Sequence, residues 1–138
     1  MMVVLEAAVV VAVVDAFTKY VATGHLAEGR MYGVGGSWGV RRVQNSRGAL
    51  VGLPVGYAFL LWLGAAAVAE WAVVVSPAAS GPLAIGLGMT LGGAAGNLLD
   101  RLLRGSVVDF VAAGPWPVFN LADAAMAFGL LLAVGSLL

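Results

Sequence analysis

Asp109 and Asp123 stand fourteen residues apart, with Gly114, Pro115 and Pro117 between them. These breakers interrupt any regular element and turn the chain back, so both carboxylates return to one surface. Two carboxylates that approach each other do not both ionise comfortably: one pKa is raised, the other stays low, and the pair can share a proton. Such a dyad can activate a water molecule and protonate a leaving amine. The chain has no cysteine and a single histidine, His25, which excludes a thiol nucleophile, a cysteine metal cluster and a histidine-rich metal site. Acid and base chemistry with no metal and no cofactor is therefore the natural enzyme reading. Carboxylates among apolar helices can also form a proton or cation pathway, so a small ion or proton transporter is the rival from a different class. Asn120 and Asp123 also stand at N-cap and N3 spacing, where an aspartate completes a capping box and complements the helix dipole.

The elements that must position these groups are written in the composition. Of 138 residues, 62% are hydrophobic and 10% charged, far too apolar for a soluble domain of this length. Net charge is zero, which argues against a nucleic-acid partner. A bilayer crossing needs about 20 mostly apolar residues. Four segments qualify, at about 2–21, 51–69, 82–99 and 119–138, giving an all-α integral membrane protein with four transmembrane helices and one membrane domain over 1–138. The first segment lacks a basic start and carries Glu6, Asp15 and Lys19, so it is read as a retained helix, not a cleaved signal. The connection over 22–50 is Gly/Arg-rich, and its piece WGVRRVQ predicts a strand in a small β-containing loop region. The second connection is a short turn with Pro77 and Gly81, and the third, over 101–118, is a loop that offers Trp116 as an interfacial anchor.

Four crossings put the first and third connections on one face of the membrane. Nearly every polar group lands there: Asp15 and Lys19, Asn45, Asn97, Asp100 and Arg101, Asp109, Asn120 and Asp123. Ionisable groups within spanning segments are costly and usually functional. Asp15 lies six residues before Val21, roughly 9 Å below that helix end at a rise of about 1.5 Å per residue. Lys19 shares its face, and an ion pair between them is the simplest account. Glu6 points to the other side of the helix and snorkels to an interface. Gly88, Gly92 and Gly96, with Gly93 beside them, form a small-residue ridge for close helix packing. Asn97 at its end serves interhelical hydrogen bonding or the ordering of a site. Asp100 and Arg104 read as a terminal ion pair on a helix that Gly105 ends.

The run GGAAGNLLDRLLRGSVVDF followed by FNLADAAM closely resembles the lipoprotein signal peptidases, or signal peptidase II, which are four-helix aspartic endopeptidases of bacterial membranes. The resemblance covers most of the chain. It implies Asp109 and Asp123 as the catalytic pair, with Asn97, Arg101 and Asn120 lining and ordering the site. Asp15 with Lys19, in DAFTK, resembles the family's first-helix motif, although Ala16 stands where the family has glutamine. Asn45 falls at the family's asparagine before a Gly/Ala/Phe pattern, but Arg47 and Leu50 depart from that pattern. The implied reaction removes the signal peptide of a prolipoprotein beside its diacylglyceryl-modified cysteine. The implied partners are that precursor and membrane lipids. The implied setting is a monomer in the bacterial cytoplasmic (inner) membrane, its loop region and aspartates facing the extracytoplasmic side.

Two features set the chain apart. The excursion from Asp109 to Asp123 is shorter than the family's, which with Arg47 makes a relative acting on another membrane substrate the nearest alternative. All seven Lys and Arg also lie on the aspartate side, where the positive-inside rule would turn the molecule over. The family topology is preferred here because several of these cations are expected to be held at the site.

Overall fold

In chain order the elements are α1 (Met2–His25), β1 (Met31–Gly33), β2 (Trp38–Asn45), α2 (Val55–Val75), α3 (Pro82–Arg104), β3 (Val107–Ala113) and α4 (Leu121–Gly135). This computed structural model describes residues 2–33, 35, 37–46, 53–76 and 81–138. Arg47, Leu50 and Pro77 lie outside them. The protein is mostly helical with one small antiparallel sheet. Val55–Val75 and Pro82–Arg104 are each long and apolar enough to cross a membrane.

α3 is the helix on which the others are laid, and its glycines explain why. Pro82 starts it at a position where its missing N–H costs nothing, and Gly105 ends it in the left-handed region at φ 73°, its N–H bonded to the Arg101 carbonyl. One glycine row receives α1: a methyl group added at Gly88 would lie 2.5 Å from the Val4 carbonyl oxygen, and one at Gly92 would strike the Ala8 backbone. A second row receives α4, with Gly93 against the Ala122 carbonyl and Gly86 against that of Gly129. Two backbones thus reach α3 on two sides, the geometry that small residues permit in lipid. α2 is held more loosely. Leu60, Val68, Trp71 and Val74 on it are all more than 60% exposed, which suits a helix solvated by hydrocarbon.

The sheet has the order β1-β2-β3, with both pairs antiparallel. The strand predicted from WGVRRVQ is present as β2. The connection after α3, expected as a loop, instead contains β3. Its β-branched residues Val107, Val108 and Val111 find a partner strand, and pairing outweighs the nearby Gly/Pro signal. Asp109 therefore sits on a strand, opposite Val43, with Asn45 two residues further along the same face of β2. A register irregularity between Val40 and Val43 adjusts the approach of the two strands.

The close α1–α3 contact yields a first prediction. Gly92→Ala should destabilise the protein by about 1–3 kcal/mol through overpacking. Gly64→Ala on α2, where a methyl group meets nothing within 4 Å, should be neutral or slightly stabilising. Thermal unfolding in detergent distinguishes the two, and equal behaviour would contradict the packing described.

Candidate active site

A short β bridge brings the two carboxylates to one place. Beyond β3 the chain leaves through Gly114, at φ 63°, and returns so that Val111 and Phe119 pair; the Phe119 N–H donates to the Val111 carbonyl at 3.1 Å. That closure sets Asn120, the residue before α4, beside Asp109 at the middle of β3. Asn120 is fully buried and its side chain works in two directions. Its Oδ1 accepts the Asp123 N–H at 2.9 Å, while its Nδ2 donates to Asp109 Oδ1 at 2.7 Å and to Asn97 Oδ1 at 3.0 Å. The Asp123 carboxylate accepts in return from the Asn120 N–H, completing a capping box. It also accepts from Asn97 Nδ2 at 2.8 Å. Asn45 Nδ2 donates to the second oxygen of Asp109 at 3.0 Å.

Three asparagine amides therefore hold two carboxylates, and both carboxylates line one open cavity of about 690 Å³ together with Asn45, Trp116 and Phe119. Burial pushes the Asp109 carboxyl above its ordinary value, and the Asp123 charge pushes it the same way, against the hydrogen bonds from Asn45 and Asn120. Such a carboxyl keeps a proton to higher pH than a solvated one. The arrangement suits it to hold or give a proton beside a second carboxylate that can accept one.

Behind the amides lies a buried ion cluster. Lys19 and Asp15 are each 1% exposed and pair at 2.6 Å across one turn of α1. Lys19 also meets Asp100 at 3.0 Å and donates to Asn97 Oδ1 at 2.8 Å. Asp15 accepts the Ala122 N–H in the first turn of α4. Of the site residues expected from sequence, Asp109, Asp123, Asn45, Asn97 and Asn120 meet directly, with Lys19 and Asp15 joined through Asn97. Arg101 stands apart: its guanidinium donates to the Leu53 carbonyl and lines a second, apolar cavity of about 260 Å³ between α2 and α3. Sequence reasoning undervalued Asp100. It makes the expected ion pair with Arg104 at 2.8 Å, but it also holds Lys19 and accepts the Val108 N–H. Its position three residues after Asn97, on the same helical face, was the available signal.

A helical membrane protein with a small sheet, carrying two amide-held carboxylates at one end of its helices, is the class that fold and site define. A family described as signal peptidase (SPase) II matches residues 7–138. The lipoprotein signal peptidase of Mycobacterium tuberculosis (strain ATCC 25618 / H37Rv) is 38% identical, the match covering 94% of this chain and 68% of the relative. That of Rhodococcus jostii (strain RHA1) is 40% identical, covering 91% and 67%. The fold is similar to that of a bacterial membrane enzyme solved by the in meso method at 2.3 Å, with TM-score 0.83 and 23% identity over 99% of this chain and 88% of that one. The chain belongs to the signal peptidase II family, and so is a membrane protease.

The Asp109 environment can be tested without substrate. Asn45→Ala removes a donor that favours the ionised carboxylate, so the Asp109 titration midpoint should move to higher pH still. The protonated carboxyl band in infrared difference spectra, assigned by its loss in Asp109→Asn, reads this directly. A midpoint that stayed or fell would show that Asn45 does not govern this carboxyl.

Proposed function

We propose that the chain is an aspartic endopeptidase that removes the signal peptide of prolipoproteins next to the diacylglyceryl-modified cysteine, with Asp109 and Asp123 as its reacting pair. The observation that carries this reading is the convergence of the two carboxylates on one cavity, each held by asparagine amides and one pushed toward its protonated form. In the proposed reaction Asp109 holds the shared proton and hydrogen-bonds the scissile carbonyl oxygen. Asp123 takes a proton from water as the hydroxyl oxygen attacks the carbonyl carbon. Breakage of the C–N bond then requires a proton on the leaving nitrogen, which the pair supplies, and the shared proton is restored. Asn45, Asn97 and Asn120 keep both carboxylates in place, while Asp15 and Lys19 support Asn97. Arg101, which lines the apolar cavity with Asn97, is the residue proposed to meet a polar group of the substrate or its lipid.

The same reading assigns four membrane spans to α1, α2, α3 and α4 within a single domain, acting as a monomer in the bacterial inner membrane among its lipids. The sheet and both aspartates face the extracytoplasmic side. A lipid-anchored precursor then enters from the bilayer and meets its acids at the helix ends. A transporter is disfavoured by the apolar cluster of Val4, Ala69, Ala84 and Leu91, packed with Trp62 and Leu87. This cluster fills the interior away from the aspartates, where an ion path would need polar groups.

Cleavage of a lipidated precursor, followed by gel shift in detergent or liposomes, tests the reading. Asp109→Asn and Asp123→Asn should each lower the rate by about 10²–10⁴-fold while leaving the protein folded. An unlipidated precursor should remain intact. Full activity in either folded variant would remove that aspartate from the chemistry. For orientation, a reporter fused to the C-terminus should be found in the cytoplasm, and an external reporter would reverse the proposed topology.

A further inference from the structure

Asn97 joins the buried ion cluster to the carboxylate pair, and it does so in one direction only. Lys19 has three donors and no acceptor. The ammonium donates to Asn97 Oδ1 at 2.8 Å and forms ion pairs with Asp15 Oδ2 at 2.6 Å and Asp100 Oδ2 at 3.0 Å. The atom that Asn97 turns toward the ammonium must be its carbonyl oxygen. Its NH₂ group then has to face the other way, where Asp123 Oδ1 lies at 2.8 Å. A reversed amide would set NH₂ against an ammonium and C=O against a carboxylate, losing two charge-assisted bonds together. Asn120 needs no such director, because the Asp123 N–H at the helix cap already claims its oxygen. Asn97 has no backbone cap of this kind: its oxygen takes two side-chain donors, Asn120 Nδ2 at 3.0 Å and Lys19, and of these only the ammonium carries a charge.

The geometry points to Lys19, clamped by Asp15 and Asp100, as a positioning residue that sets the direction of the Asn97 side chain and so makes Asn97 a hydrogen-bond donor to Asp123. Asp100 shares this role. One of its oxygens holds Lys19 and the Val108 N–H, the other holds Arg104, so it ties the ammonium to the end of α3 and to the strand bearing Asp109. The inference rests on Asp109 and Asp123 being the reacting pair, since only then does the direction of Asn97 bear on the reaction.

The test uses the full chain in detergent with ¹⁵N-labelled asparagine, the Asn97 side-chain NH₂ signal being assigned by its loss in Asn97→Asp. That signal should move in Asp123→Asn, and its displacement should also vanish in Lys19→Met. In cleavage assays Lys19→Met should lower kcat by about 100-fold, as for a misplaced catalytic group, with KM changed less than threefold. Asp100→Asn should shift both readouts in the same direction and by less. Asn97→Asp still accepts from Lys19 and Asn120 but has no NH₂ to donate. It should lose kcat about 100-fold while remaining folded, and it carries the test if Lys19→Met does not fold. Folded Lys19→Met with an unmoved Asn97 signal, or Asn97→Asp with kcat within threefold of wild type, would overturn the inference. If the wild-type chain cleaves no lipidated precursor, the peptidase reading fails on its own, and the amide signal still decides whether Lys19 directs Asn97.

Discussion

An ammonium buried at 1% exposure is the constraint from which the rest of this structure follows. Removing such a charge from water costs several kcal/mol, and the cost is offset only where every donor finds a well-placed acceptor. Lys19 cannot satisfy that condition from α1 alone. Asp15 supplies one acceptor from the turn below, and α3 must supply Asp100 and Asn97. Gly96 makes this possible, since a side chain there would press on Asp15 Oδ2. Asp15 then accepts the Ala122 N–H of α4, and Asp100 accepts the Val108 N–H of β3. Three helices and a strand are thereby drawn to one point, and Asp109 and Asp123 are the carboxylates left facing the cavity beside it.

Asn120 and Asp123 show how an ordinary helix start becomes a reactive one. As N-cap and N3 they satisfy two backbone N–H groups at the α4 terminus, which fixes both side chains by local hydrogen bonding. The same fixed side chains then reach across to β3 and α3, through Asn120 to Asp109 and through Asn97 to Asp123. Capping and site assembly are one arrangement here, not competitors. A carboxylate at this terminus also benefits from the dipole of α4, and a reacting group gains precision when a regular element holds it.

Much of this was legible in the sequence because it depends on local periodicity. The apolar helices, the Gly88/Gly92 ridge against α1, the Asp15–Lys19 pair and the Asn120–Asp123 cap each follow from spacings of three or four residues. The β3 strand was not legible. Its valines favour a strand only because β2 lies alongside, and that pairing spans more than sixty residues. Asp100 failed to stand out for a similar reason: its visible neighbour, Arg104, gave a complete local explanation, while Lys19 and Val108 came from elsewhere in the fold. Arg101 was assigned to the site by resemblance alone, and no local spacing showed that its guanidinium turns to the Leu53 carbonyl just before α2.

The same contacts bear on the charge asymmetry. Positive-inside bias counts the Lys and Arg of short loops during insertion, before folding gives them partners. In the folded chain Lys19 lies between Asp15 and Asp100, and Arg104 is bound to Asp100. Arg42 donates to the Thr23 carbonyl, Arg101 donates to that of Leu53, and Arg30 stacks over the Tyr32 ring. Five of the six Lys and Arg among the described residues therefore have partners within the protein. Two of those five, Lys19 and Arg104, are balanced by the carboxylates of Asp15 and Asp100, so that cluster presents no net charge. The count therefore still opposes the proposed extracytoplasmic site, and what the fold adds is a use for these cations: Lys19 and Arg104, through Asp15 and Asp100, tie α1, α3 and the strand bearing Asp109 together once the chain has folded.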